Sequence, residues 1–286
     1  MSARPDSLVG HAGDAIARWD DGAGRSIVFI GGVHRSGTSL VARVVAQHPL
    51  ASGLSGTTVP EDEGEHLQSV FPDSWDYGGV GRFGFAPEMH LTENSSLVDD
   101  RSRTTLWHEW SCWWDLDRPL LVEKSPPNML KMRFLQALFP EARFVLIVRN
   151  PVVVTMATLK WRPRLIREVA PYCLADHWIR CHRIALADAL HLKRFHLLKY
   201  EELVSDPGRE MSRLAAFLGL DPPLTAPEID PHSNERYLEA WAALKRHPLR
   251  RMYLGRVERR LARGVATLPA EFDLGRAYHD AASARP

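Results

Sequence analysis

The sequence predicts an α/β fold, a parallel sheet with helices on both faces, and three observations carry that expectation. Short apolar runs at residues 27–32, 120–123, 144–149 and 195–200 end abruptly in polar residues, as buried parallel strands do. Each is followed by helical spacing, at residues 38–47, 128–138, 151–160 and 207–218. Strands alternating with helices give βαβ units, and ligands of such sheets sit beyond the carboxyl ends of the strands.

Taken in order, residues 1–25 are rich in Gly, Ala and Asp without a sustained period and are expected to be a flexible N-terminal arm. Residues 26–273 read as a single domain. Within it, residues 51–100 break the alternation with Gly, Pro, Ser and acids and read as a substrate-side insertion. Residues 274–286 read as a loose C-terminal tail. A chain of 286 residues, 45% hydrophobic and 25% charged, suits one large core. The net charge of +1 provides no global field, so neither nucleic acid nor membrane is expected as a partner. The apolar runs are too short to span a bilayer and the first 25 residues hold no apolar signal core, which gives a cytoplasmic expectation. Cys112, Cys173 and Cys181 are odd in number, lack metal-type spacing and lie among Trp, Tyr and Leu, so reduced, packed thiols are expected.

The first strand runs into Gly31-Gly32-Val33-His34-Arg35-Ser36-Gly37-Thr38-Ser39, which opens a helix. Backbone amides of such a turn, with a helix N-terminus behind them, converge on an anion. Gly32 and Gly37 keep the spacing of the nucleoside-triphosphate loop G-x-x-x-x-G-K-[ST], and Ser39 stands at its hydroxyl position. Thr38 replaces the lysine, which argues against an ordinary ATPase or kinase. The cation lies inside the loop instead, at Arg35. The candidate anion contacts of this P-loop-like turn are therefore His34, Arg35, Ser36, Gly37, Thr38 and Ser39. The plainer alternative is a strand-to-helix turn with Arg35 in solvent.

The 144–149 strand ends in Arg149, followed by Asn150 as helix cap and Pro151 at the first helical position. Arginine beside a helix N-terminus forms a second anion cradle.

The two cradles together resemble the sulfotransferase family, in particular the branch with an R-S-G-T-[ST] loop that includes tyrosylprotein sulfotransferases and bacterial relatives. The resemblance spans residues 27–50 and 119–245. Glu123-Lys124-Ser125-Pro126 is similar to the family's [DE]-K-[ST]-P, and Arg149-Asn150-Pro151 to R-[DN]-P. Tyr200-Glu201-Glu202-Leu203, Asp206-Pro207 and Phe217-Leu218-Gly219-Leu220 are similar to a run that supports the sheet.

The resemblance implies a three-layer architecture and 3′-phosphoadenosine 5′-phosphosulfate (PAPS) as co-substrate, without a metal. The reaction it implies is sulfuryl transfer to a hydroxyl or amine of a small-molecule, carbohydrate or peptide acceptor. It also implies the 34–39 loop for the 5′-phosphosulfate, Arg149 for the 3′-phosphate and Lys124 beside the transferring group. The family serine eight residues after the arginine is Ala157 here; Thr155 and Thr158, on one helical face, are the substitutes, Thr158 first. A closing Gly-rich motif is not recognisable. The basic residues from Lys245 to Arg263 stand nearest in sequence, with most of them expected on a solvated face.

Sulfuryl transfer, like phosphoryl transfer, depends on positioning and charge stabilisation, which Arg35, Lys124 and the loop amides would supply to the leaving phosphate. A hydroxyl acceptor also needs a proton acceptor. The acidic cluster at residues 61–66 offers Glu63 first and His66 second, and related enzymes take a glutamate from the matching region. His34 and His90 are weaker candidates. Competing readings are a P-loop nucleoside or small-molecule kinase and a non-catalytic adenine-nucleotide sensor. Trp75, Tyr77, Phe83, Phe85, Trp107, Trp110, Trp113 and Trp114 would line an apolar or sugar pocket or form core.

Overall fold

The computed structural model describes residues 24–160 and 170–274. Five parallel strands form one sheet in the order β2-β3-β1-β4-β5: β1 (Ser26–Gly32), β2 (Ala51–Gly53), β3 (Leu120–Lys124), β4 (Arg143–Val148) and β5 (Phe195–Lys199). The central strand β1 pairs Ile30 with Lys124 on one side and Gly32 with Ile147 on the other. The ends of β1, β3 and β4 therefore open on one edge of the sheet.

Successive side chains of a strand point to opposite faces, and this alternation separates two apolar layers. Ile27 and Phe29 with Phe144, Leu146 and Val148 face one layer; Val28 and Ile30 with Val145 and Ile147 face the other. The second layer is closed by α1 (Thr38–Ala46) and α7 (Pro207–Leu218), the latter following the short α6 (Tyr200–Ser205). The first layer is larger. It is covered by α2 (Asp100–Ser111), α3 (Met132–Leu138), α4 (Pro151–Leu159), α5 (Ala170–Ala189), α8 (Glu235–Leu244) and α9 (Pro248–Val265). Phe29 lies at its centre, stacked on Phe144 at 5.7 Å and edge-on to Trp110 at 5.9 Å. These are the offset and T-shaped geometries that the ring quadrupole favours. Trp107, Trp110 and Trp114 are core, as one of the two alternatives for them held.

Several expectations need correction. Residues 51–53 are not insertion but the edge strand β2, which is too short to show a period. The helix expected over 128–138 begins only at Met132. Pro126–Leu130 is a 3-10 turn containing two prolines, and Lys131 leaves helical geometry at φ −127°. Tertiary contact overrides the local pattern there, because Asn128 donates to Ile30 O and folds the segment over the end of β1. Cys112 and Cys173 are exposed, and only Cys181 is packed as expected. Leu274, placed at the start of the tail, is 3% exposed within the core. Residues 1–23 of the expected arm and 275–286 of the expected tail lie outside the described residues, while Arg25 of the arm donates to Leu116 O at 2.7 Å. Among the described residues no helix is long and apolar enough to cross a membrane.

Candidate active site

The turn between β1 and α1 is built by close approach. A Cβ on Gly32 would lie 2.6 Å from Ile147 O, and one on Gly37 would lie 2.7 Å from the Tyr200 ring. Gly37 also takes φ 107°, which side-chain-bearing residues rarely adopt. Arg35 sits left-handed at φ 70°, a conformation that turns successive amides inward as an anion nest. Gly37 is the N-cap of α1 and has no side chain to occupy the amides behind it. Ser36 is fully buried and its Oγ has no hydrogen-bond partner. A buried hydroxyl without a partner costs free energy, and a ligand oxygen in the loop would satisfy it, so the turn fits an anionic phosphosulfate. Thr38 is buried, Ser39 half-buried, and the Arg35 side chain is exposed. His34 packs against Phe83 at 5.7 Å.

Arg149 brings the second cradle onto the first. Its Nη1 donates to Arg35 O at 3.1 Å, and its guanidinium lies 4.0 Å from the Tyr200 ring centroid. Nε and Nη2 both donate to Asn234 Oδ1, at 3.0 and 2.7 Å. Asn234 in turn donates to Glu201 Oε1, which also accepts from Asn150 N. Burial pulls the Arg149 pKa down, yet an arginine stays charged at neutral pH. Burial pushes the Glu201 carboxyl up, against the bond from Asn150 and the nearby Arg149. Asn150 caps α4 through Val152 N and Val153 N as expected.

Thr155 and Thr158 are both buried on α4, and Thr155 Oγ1 has no hydrogen-bond partner. Residues of an α-helix advance about 100° each, so Thr158 points about 100° from Ala157 and Thr155 about 160° away. Thr158 is the nearer of the two to Ala157 in direction, while Thr155 carries the hydroxyl without a partner.

The second part of the site, the acidic turn, is assembled on the end of β3. Lys124 Nζ reaches Glu63 Oε1 at 2.7 Å and Glu61 O at 3.1 Å, with the Lys124 and Glu63 side chains 6% and 9% exposed. Burial raises the Glu63 pKa, and Lys124 works against that rise. His66 Nε2 lies 3.8 Å from Glu63 Oε2. Three of the four candidate catalytic residues, Glu63, His66 and Lys124, thus form one cluster. Arg35 belongs to the loop and meets Arg149 instead. His90 pairs with Asp188 on α5 at 2.9 Å, a structural contact.

Beneath this cluster lies a brace that the sequence did not reveal. Glu123 Oε1 accepts from Gly64 N at 3.0 Å and from Ser125 Oγ at 2.6 Å, and its Oε2 accepts from Asn128. Ser125 Oγ accepts from Glu65 N, Trp110 Nε1 donates to Gly64 O, and the Glu65 carboxylate accepts from Ser74 N and Oγ. Burial pushes the Glu123 carboxyl up to about 7. Lys131 is fully buried over the Phe71 ring at 4.9 Å, its pKa lowered by burial while Glu65 and Glu123 oppose the shift.

Glu63, Glu65 and His66 place a ligand atom each within 4.8 Å of one another. Lys124 already holds Glu63 and Ser74 holds Glu65, so a divalent cation would have to displace an ammonium 2.7 Å away.

Sequence reasoning missed Asn234, Asp73 and the anchoring role of Tyr200. Tyr200 carried a signal as part of a motif, but Asn234 and Asp73 are isolated polar residues in turns.

A five-stranded parallel sheet whose central strand feeds a glycine-walled P-loop-like turn, with a buried arginine at the end of the neighbouring strand, defines the class: an α/β protein of P-loop-like architecture. Residues 27–223 match the Sulfotransferase family, and the chain belongs to that family. Nodulation protein NoeE of Sinorhizobium fredii is 29% identical, over 68% of this chain and 50% of that protein. Protein-tyrosine sulfotransferase A of Caenorhabditis elegans is 26% identical, over 71% and 53%. Omega-hydroxy-beta-dihydromenaquinone-9 sulfotransferase Stf3 of Mycobacterium bovis is 28% identical, over 36% and 29%. The chain spans about half the length, or less, of these relatives.

Proposed function

We propose that this protein transfers a sulfuryl group from PAPS to a hydroxyl-bearing acceptor. The observation that carries the reading is the 3.1 Å bond from Arg149 to the Arg35 carbonyl. It sets two anion cradles side by side on adjacent strands, an arrangement suited to a donor with a 5′-phosphosulfate and a separate 3′-phosphate. A triphosphate would need its charges extended along one loop, and the lysine that meets them in kinases is Thr38 here.

In this reading residues 34–39 hold the phosphosulfate, Arg149 holds the 3′-phosphate with Thr158 beside it, and Arg35 and Lys124 stabilise the charge that grows on the leaving phosphate oxygen. Glu63 takes the acceptor proton. His66 is less suited to that role, since both of its nitrogens have partners, Asp73 and Trp75. Because burial raises Glu63 against the opposing Lys124, the acid limb of the rate profile is displaced upward from an ordinary glutamate's position. Calorimetry with adenosine 3′,5′-bisphosphate (PAP) and adenosine 5′-monophosphate tests the donor assignment. PAP binds well and the monophosphate poorly; equal affinities would overturn the reading.

A further inference from the structure

His66 carries a hydrogen-bond arrangement that donor binding does not require. Trp75 Nε1 donates to its Nε2 at 3.1 Å. An indole nitrogen can only donate, so Nε2 is the bare nitrogen and the ring proton sits on Nδ1, 2.5 Å from Asp73 Oδ2. Asp73 Oδ1 closes the ring of contacts by accepting from Trp75 N at 2.7 Å. The His66 side chain is 9% exposed, whereas Trp75 is 64% exposed. A large apolar surface is thus presented to solvent in a fixed orientation, its polar edge clamped to the histidine beside Glu63. The charged groups around His66 are Glu63, Glu65 and Asp73, with Lys124 and Lys131 behind them. The imidazole therefore has three carboxylates around it and one lone pair, and Trp75 occupies that lone pair.

We propose that Trp75 gates a proton exit running from Glu63 through His66 towards Asp73, and that an acceptor resting on the indole opens it by drawing the N–H away. The proposal rests on the sulfuryl-transfer reading. As the acceptor oxygen bonds to sulfur, its proton goes to the Glu63 carboxylate. The bond from sulfur to the donor's phosphate oxygen breaks, and its electron pair leaves with that oxygen. Glu63 then passes the proton to His66 Nε2 once the 3.8 Å gap closes to hydrogen-bond length. The imidazolium, held by Asp73, yields one proton to solvent past an Asp73 side chain that is 29% exposed. One proton enters and one leaves. With the indole in place Glu63 has no such outlet, so water in the site is a poor acceptor and the donor is protected from hydrolysis.

PAPS alone, with water as acceptor, is the probe, and sulfate release is the readout. Trp75→Phe keeps an aromatic ring without the N–H. It raises PAPS hydrolysis about a hundredfold, the lower end of what a positioned proton acceptor contributes. Adding His66→Gln to Trp75→Phe abolishes the gain. So does adding Asp73→Asn, which keeps the turn cap but removes the charge. Hydrolysis by Trp75→Phe at the wild-type level overturns the gate. A gain that survives His66→Gln overturns the relay, the indole then acting only as a shield against water. PAP calorimetry on the same proteins separates the two readings, since failure of the wild type to bind PAP overturns sulfuryl transfer itself. Nitrogen-15 spectra of the wild type give a check that needs no variant: His66 carries its proton on Nδ1, and an Nε2–H tautomer overturns the proposal.

Discussion

The proposed donor side and the proposed acceptor side of the site are held together by different physics. Around residues 32–37 the backbone is fixed by volume: Gly32 against Ile147 O, Gly37 against the Tyr200 ring, and Tyr200 against Arg149. Around residues 61–75 no long helix or strand is present, and 3-10 turns are tied by polar side chains to the end of β3. The donor side therefore breaks when atoms are added. The acceptor side breaks when a charge or proton is changed.

The largest expected effect tests the donor side. Arg149→Ala weakens PAP binding by about 2–5 kcal/mol in calorimetry, as expected when one partner of a desolvated charged contact is lost, and changes monophosphate binding little. Equal losses for both nucleotides would place Arg149 elsewhere on the donor. Glu63→Gln preserves shape and removes the carboxylate. Turnover falls about a hundredfold or more while PAP affinity stays at the wild-type value, and a matching loss of affinity would erase the division between the two sides.

Gly37→Ala adds a single carbon against Tyr200 at a left-handed position. It lowers unfolding stability by about 1–3 kcal/mol and weakens PAP binding in the same protein. Thermal unfolding and calorimetry together check this, and normal PAP affinity would show that the loop tolerates volume.

An effect of comparable size is one of pH. Burial raises Glu123 from its ordinary value of 4.5 to about 7, so the native state binds more protons than the unfolded chain between those values. The stability tied to this group is complete below the ordinary carboxylate range and is lost as pH climbs to about 7, by about 3 kcal/mol. Glu123→Gln flattens that part of the stability profile, measured by denaturant unfolding at stepped pH. An unchanged slope would assign the titration to another group.

The same division explains what was legible in the sequence. The P-loop-like turn and the R-N-P cradle are contiguous, each residue's role following from its neighbours, and both stand at strand ends as read. Glu63 was legible only as part of an acidic cluster, because its partner Lys124 lies far along the chain and their pairing depends on how the turns dock. Asp73 and Asn234 carry no local pattern at all. α5 was passed over because it does not directly follow a strand, and β2 because three residues show no alternation. The Trp side chains of α2 and of the turn after it were legible as an apolar set, but not as ties: Trp110 holds Gly64 O and Trp114 holds Val122 O.

Asn234 has a consequence for anyone who borrows this fold as a module. The segment that matches the family ends at residue 223, yet the residue clamping two nitrogens of Arg149 comes eleven positions later. Trp241, Leu254, Val257 and Leu261, further along still, are built into the larger apolar layer. A fragment trimmed at 223 keeps every recognisable motif while leaving the arginine edge unclamped and that layer uncovered. The transplantable unit has to run at least through Val265, set by what closes the site and not by where the likeness stops.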